Sequence, residues 1–254
     1  SMRERQAGSS AAMTGSASFP GAPSMPVITF ANTKGGAGKT TAVLILAGEL
    51  ARQGYRITIL DADPQHWISR WHDISGDVPN ISVISHVTMA SIEHHIRENR
   101  DCTDCFLIDL PGTRSPLLAT ALGLSDHVLI PVQGCAMDAR GGAQVIELLQ
   151  YLKEKQRIDI PHSVVLTRVN SLVNTRALLT VKMLLAQRHV PVLGTPIIER
   201  SAFRDIFDCG GTLASMDPHR VSNLDKAREN ARQFAEEILR LVPLRMGARR
   251  RRAA

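Results

Sequence analysis

Residues 32 to 42 read NTKGGAGKTTA, a stretch whose glycines are bracketed by Lys34 and Lys39. Bare backbone at Gly35, Gly36 and Gly38, with small Ala37 among them, lets successive N–H groups turn inward on the oxygens of a phosphate. A helix beginning here adds its positive N-terminal end. Lys39 then reaches the β and γ phosphates of a nucleotide, the Thr40 hydroxyl can ligate Mg²⁺, and Thr41 follows in the same turn. The pattern Gly-x-x-x-x-Gly-Lys-Thr is met only in part, because Thr33 takes the place of its first glycine. A ligand-free strand-to-helix turn is the plainer alternative. One lysine is enough for one phosphate cradle, so the second needs a reason.

Two acidic segments can complete such a site. Asp61-Ala62-Asp63-Pro64-Gln65 closes an apolar run over 56–60, and Phe106-Leu107-Ile108-Asp109 is an apolar run ending in a carboxylate. A carboxylate at the tip of a buried strand is placed to hold Mg²⁺ through water, the role open to Asp109. Asp63 can equally shape a turn or cap a helix.

The elements around these residues read as alternating strand and helix. Strands are expected at 27–30, 56–60, 81–85, 105–109, 127–131 and 163–167, with weaker ones at 190–193 and 195–198. Helical spacing runs from 41 to a stop at Gly54, through Trp67 and Trp71 on one packed face, and over 136–155 and 173–188. The segment 223–242 puts Leu224, Ala227, Ala231, Phe234, Ile238 and Leu241 on one side, an amphipathic helix expected to pack on the sheet rather than lie on a membrane. The order predicts an α/β fold: a mostly parallel twisted sheet with helices on both faces and its ligand at the C-terminal strand ends.

Composition agrees. Hydrophobic residues make up 44% of the 254 and aromatics only 4%, which suits a core of Val, Ile, Leu and Ala. Residues 26–242 are expected to form one domain, between a flexible tail at 1–25 and a basic tail at 243–254. No run is long and apolar enough to span a membrane, no export pattern is seen, and four cysteines do not make a disulfide framework, so a cytoplasmic protein with reduced thiols is expected. Charge is uneven: 27–160 carries 12 Lys and Arg against 15 Asp and Glu, whereas 161–254 carries 16 against 8. That surplus favours a polyanionic partner, either nucleic acid or an acidic membrane surface.

The string KGGAGKTT resembles the deviant Walker A loop of the ParA/MinD family of P-loop ATPases, and the resemblance extends over nearly all of 26–242. It implies ATP and Mg²⁺ as ligands, with Gly35, Gly36, Ala37, Gly38, Lys39, Thr40 and Thr41 at the nucleotide and Thr40 and Asp109 at the metal. Lys34 would reach across a dimer interface to the partner's phosphates, which gives the second lysine its reason. DADPQ is similar to the family's DxDPQ loop, implying that Asp63 helps position the attacking water and that Asp61 lies near the Mg²⁺ shell. Gly112, in Leu110-Pro111-Gly112, stands where the family binds the γ-phosphate, although Leu110 departs from the usual pattern. LTRVN at 166–170 is similar to a segment beside the adenine, making Arg168 and Asn170 candidates for base or ribose contact.

The absence of a long N-terminal extension resembles the small ParA proteins, and ERSAFRD resembles ParA-like proteins of T-DNA transfer. The implied function is a slow, partner-stimulated ATPase that forms an ATP-sandwich homodimer, binds DNA nonspecifically through scattered basic residues such as Lys182, Arg188, Arg204, Arg220 and Arg228, and partitions DNA or a cargo with a ParB-like adaptor. It would be nucleoid-associated in its ATP state. The alternatives are a MinD-like membrane-cycling ATPase, for which the terminal arginines lack apolar anchors, and an ATP-dependent scaffold in DNA transfer. Cys102-Thr103-Asp104-Cys105 is a lone CxxC expected to pack rather than bind metal, and the adjacent His94 and His95 point apart on a helix.

Overall fold

Every residue of β1 (Val27–Phe30) is buried, as a strand covered on both faces requires. The computed structural model describes residues 25–134, 136–170 and 176–246, with backbone alone at 136–138. Most of both tails, the start of the helical pattern at 173–175 and the arginines at 249–252 therefore lie outside the described residues. After β1 the chain runs through α1 (Lys39–Arg52), β2 (Ile57–Asp61), α2 (Trp67–Ser75), β3 (Ile81–Ile84), α3 (Ile92–Glu98), β4 (Cys105–Asp109), α4 (Pro116–Gly123) and β5 (His127–Gln133). It continues through α5 (Ala136–Gln156), β6 (His162–Thr167), α6 (Arg176–Gln187), α7 (Ser201–Cys209) and α8 (Leu224–Leu241).

The six strands pair in the order β3-β2-β4-β1-β5-β6, and every pairing is parallel. The strand period of two sorts the core into two layers. Ile28, Phe30, Leu107, Leu129 and Val165 face α1, α2, α7 and α8, whereas Val27, Phe106, Ile108, Val128 and Val164 face α3 to α6. From β1 the chain turns one way to reach β2, and from β4 it crosses β1 to reach β5. β1 is thus the switch point, where the loops diverge and leave a crevice at the strand ends. Register places Phe30 and Asp61 on either side of Asp109.

Three expectations are corrected. The segments at 190–193 and 195–198 are not strands; they make isolated bridges, Val164 to Val192 and Val169 to Ile198. Pro191 and Pro196 have no N–H to give, and the N–H groups of Gly194 and Thr195 donate to the Glu237 carboxylate at 2.7 and 2.8 Å. Trp67 and Trp71 do not share a packed face. Trp71 is 2% exposed and donates its indole N–H to the Gly211 carbonyl at 2.8 Å, whereas Trp67 is 45% exposed, edge-on to Phe207 with the Arg70 guanidinium over its ring. Leu241, expected on the packed face of α8, is exposed at the helix end. Cys105 is buried in β4, Cys102 is exposed and neither is disulfide-bonded, while His94 is exposed on α3.

Candidate functional site

The glycine loop between β1 and α1 turns through left-handed backbone at Gly36 and Gly38, with φ of 80° and 91°. Side chains from three other elements hold it. Thr167, at the tip of β6, donates to the Ala37 carbonyl at 2.8 Å, and Gln133, at the tip of β5, donates to the Gly36 carbonyl. Buried Asn32 accepts from the Lys34 N–H at 2.9 Å and donates to the Pro131 carbonyl at 2.7 Å. Thr33 bonds Gln144 of α5 at 2.5 Å. The residue that breaks the standard glycine pattern is therefore used to tie the loop to α5.

Within the loop Lys39 is 5% exposed and its ammonium donates to the Lys34 carbonyl at 3.3 Å. Burial lowers its pKa, against the opposing pull of the Asp109 and Asp63 carboxylates. Thr40 donates its hydroxyl to Asp109 Oδ2 at 2.8 Å. Asp109 is 1% exposed, its Oδ1 has no hydrogen-bond partner among the described residues, and burial pushes its pKa up to about 7.

Asp61, fully buried, has the same divided arrangement. Its Oδ2 accepts from the Ser69 N–H and hydroxyl at 2.9 and 2.5 Å, while Oδ1 has no hydrogen-bond partner among the described residues. With the Ser69 proton given to Asp61, the Ser85 hydroxyl donates to Ser69 at 2.8 Å and completes the chain. Asp63 accepts from the Gln65 N–H at 2.9 Å, the turn-forming geometry open to it from the sequence. Two buried carboxylate oxygens without partners, beside a threonine hydroxyl and at one end of one sheet, are donors of the kind Mg²⁺ takes. The residues present fit that ion.

Gly112 lies against the glycine loop so closely that a Cβ there would be 2.5 Å from Gly35 N and 2.8 Å from the Lys34 carbonyl carbon. Only bare backbone allows this approach. Beyond Gly38 and Thr41 a cleft of about 140 Å³ opens, lined by Thr167, Arg168, Ile197, Ile198, Glu199, Arg200, Phe203 and Arg204. Arg168 is there, at φ 50°, whereas Asn170 is exposed and outside that lining.

The structure therefore gathers Lys34, Gly35, Gly36, Ala37, Gly38, Lys39, Thr40, Asp109 and Gly112 at the ends of β1 and β4, with Asp61 and Asp63 at the end of β2. Sequence reasoning missed the supporting residues Asn32, Gln133, Gln144, Thr167 and Ser69. Gln133 and Thr167 had a usable signal, a polar residue closing an apolar strand. Arg228 donates its guanidinium to the carbonyls of Leu213, Ala214 and Met216, so it also braces a loop. Arg204 is paired with Glu199 at 3.3 Å.

The fold and this loop are those of the ParA/MinD-type P-loop ATPases. The ATP complex of Cyanothece McdA superposes with a TM-score of 0.66 at 18% identity, covering 84% of this chain and 96% of that one. The family described as "VirC1 protein" matches residues 25–241, and the chain belongs to it. The Protein ParA of Rhizobium radiobacter is 36% identical over 219 residues, 85% of this chain and 97% of that protein. The chromosome-partitioning ATPase Soj of Thermus thermophilus is 29% identical over 156 residues, 50% of this chain and 62% of Soj.

Proposed function

We propose that the protein is a partitioning or positioning ATPase that binds ATP and Mg²⁺ at the β1 loop, dimerises around the nucleotide, holds DNA nonspecifically in that state and releases it after hydrolysis. The observation that carries this reading is the Thr40–Asp109 hydrogen bond at 2.8 Å, with the second Asp109 oxygen buried and without a hydrogen-bond partner among the described residues close to Lys39. The relatives agree with it: Soj of Thermus thermophilus is a chromosome-partitioning ATPase, and Cyanothece McdA was solved with ATP.

In this reading the N–H groups of Gly35 to Thr41 cradle the phosphates, and Lys39 places its charge where negative charge grows as the γ-phosphoryl leaves. Thr40 and Asp109 would hold Mg²⁺, with the unpartnered Asp61 oxygen available toward its water shell; when bound, such an ion would supply charge neutralisation for the phosphates. Asp63 orients the attacking water. Gly112 senses the γ-phosphate, and Arg168, from the cleft beyond Gly38, and Asn170, from outside its lining, are the candidates for base or ribose contact. Lys34 reaches the partner subunit's nucleotide, turnover is slow until a ParB-like adaptor stimulates it, and the ATP state sits on the nucleoid.

The DNA contact would come from the basic second half, where Lys182 and Arg220 remain candidates. Binding of duplex DNA across a salt series with ATP, ADP and no nucleotide tests the switch. Tight, steeply salt-dependent binding is expected with ATP alone; equal binding in all three states would sink it.

A further inference from the structure

Helix α5 has two working sides. On one, Gly141 lets it press against the glycine loop: a Cβ there would lie 2.1 Å from Asn32 Oδ1 and 3.1 Å from the Lys34 N–H nitrogen. On the other, the same turn forms one wall of a groove of about 230 Å³ against α6. Its lining is apolar, with Ala143, Ile146, Val181, Leu184 and Leu185, and its charges are Arg140 and Arg188. Leu184 is 49% exposed, and α6 also exposes Leu179 and Met183 at 48% and 62%. No carboxylate is present on α6, whose charged residues are Arg176 and Lys182, with Arg188 just beyond its end.

We propose that this α5–α6 groove docks an acidic amphipathic helix of a partner protein. The apolar lining calls for side chains at helical spacing, and Arg140 and Arg188 call for carboxylates beside them. Charge decides among occupants. The segments 1–24 and 247–254 are basic, with Arg3 and Arg5 against Glu4 in one and Arg249 to Arg252 in the other, and a second copy meeting this groove with its own would bring like charges together. DNA would satisfy the arginines but leave the apolar wall exposed. Because α5 touches Asn32, Thr33 and Lys34 from its opposite side, a seated helix acts on the position of Lys34; this part rests on the nucleotide reading above.

The test uses a fluorescein-labelled helical peptide of about 18 residues, leucines at i, i+3, i+4 and i+7 and glutamates elsewhere, titrated into the full chain by anisotropy without nucleotide. Binding is expected, weakened roughly tenfold or more by Leu184→Glu. Arg188→Glu should weaken it too, and should improve binding of the same peptide with lysines for glutamates. Leu184 and Arg188 are at the surface, and circular dichroism verifies that both variants fold. No binding, equal binding of the acidic and basic peptides, or displacement by duplex DNA with Leu184→Glu without effect would overturn the proposal. A separate titration of a fluorescent ATP analogue with saturating peptide should show altered affinity. Peptide binding with unchanged nucleotide affinity would overturn the coupling alone, and failure of nucleotide binding without peptide would overturn the ATP reading instead.

Discussion

Gly112→Ala isolates the contact between the loop after β4 and the glycine loop. Its methyl would stand 2.5 Å from Gly35 N, 2.7 Å from Gly35 Cα and 2.8 Å from the Lys34 carbonyl carbon, where ordinary contact begins at 3.4 Å. All three atoms are backbone, so no side chain can rotate away. The loops must part by about 0.9 Å, or absorb the overlap as strain of about 1–3 kcal/mol. Parting moves Lys34 and the N–H groups of the glycine loop relative to Asp109, and a misplacement of about 1 Å in a catalytic arrangement can lower turnover roughly 100-fold. Urea unfolding, calorimetric ATP titration and steady-state phosphate release separate the outcomes: a modest loss of stability with a much larger loss of ATP affinity or turnover is expected. Gly123→Ala is the control, since a Cβ there meets nothing within 4 Å. Wild-type ATP affinity and turnover in Gly112→Ala would refute the reasoning, because the close approach would then have no functional weight.

Two further outcomes follow from buried titratable groups. His127 is buried, its Nε2 has no hydrogen-bond partner among the described residues, and burial, followed by the neighbouring His162, lowers its pKa to about 4. The unfolded chain takes up this proton near pH 6.5 and the folded chain only near pH 4. Stability should therefore fall as pH drops between those values, by up to roughly 3 kcal/mol. Chemical denaturation should show His127→Gln with a flatter profile; parallel profiles would contradict this. Asp109→Asn removes a buried charge while keeping its shape, so without ligand at pH 7 the variant should be as stable as wild type or more so, by up to about 2 kcal/mol. Its Mg²⁺-dependent ATP hydrolysis should be lost, and a marked drop in unliganded stability would show that the carboxylate serves the fold instead.

That the glycine loop and the carboxylates would come together was legible because their signals are local: glycines beside lysine and threonine, and aspartates closing apolar strands. The strand at 105–109 was legible for the same reason, since all five residues are buried and the run has clear ends. What was not legible depends on distant partners. The runs at 190–193 and 195–198 have strand-like composition, but prolines remove two donors and Glu237, far along the chain, takes two more. Trp67 and Trp71 have helical spacing, yet α2 begins only at Trp67, so its first turn extends beyond the layer that buries Trp71. Arg228 reads as a surface charge until the three carbonyls beneath it are seen. The bracing of the glycine loop by Gln133, Gln144 and Thr167 joins residues about a hundred positions apart.

The central claim is that the two lysines of one loop serve two nucleotides. Sedimentation velocity of Lys34→Ala and Lys39→Ala with ATP and Mg²⁺, beside calorimetric ATP titration of the monomers, tests it directly. Lys39→Ala should lose ATP binding and with it the dimer. Lys34→Ala should bind ATP nearly as wild type does and remain monomeric; a Lys34→Ala protein that dimerises normally with ATP would contradict the account.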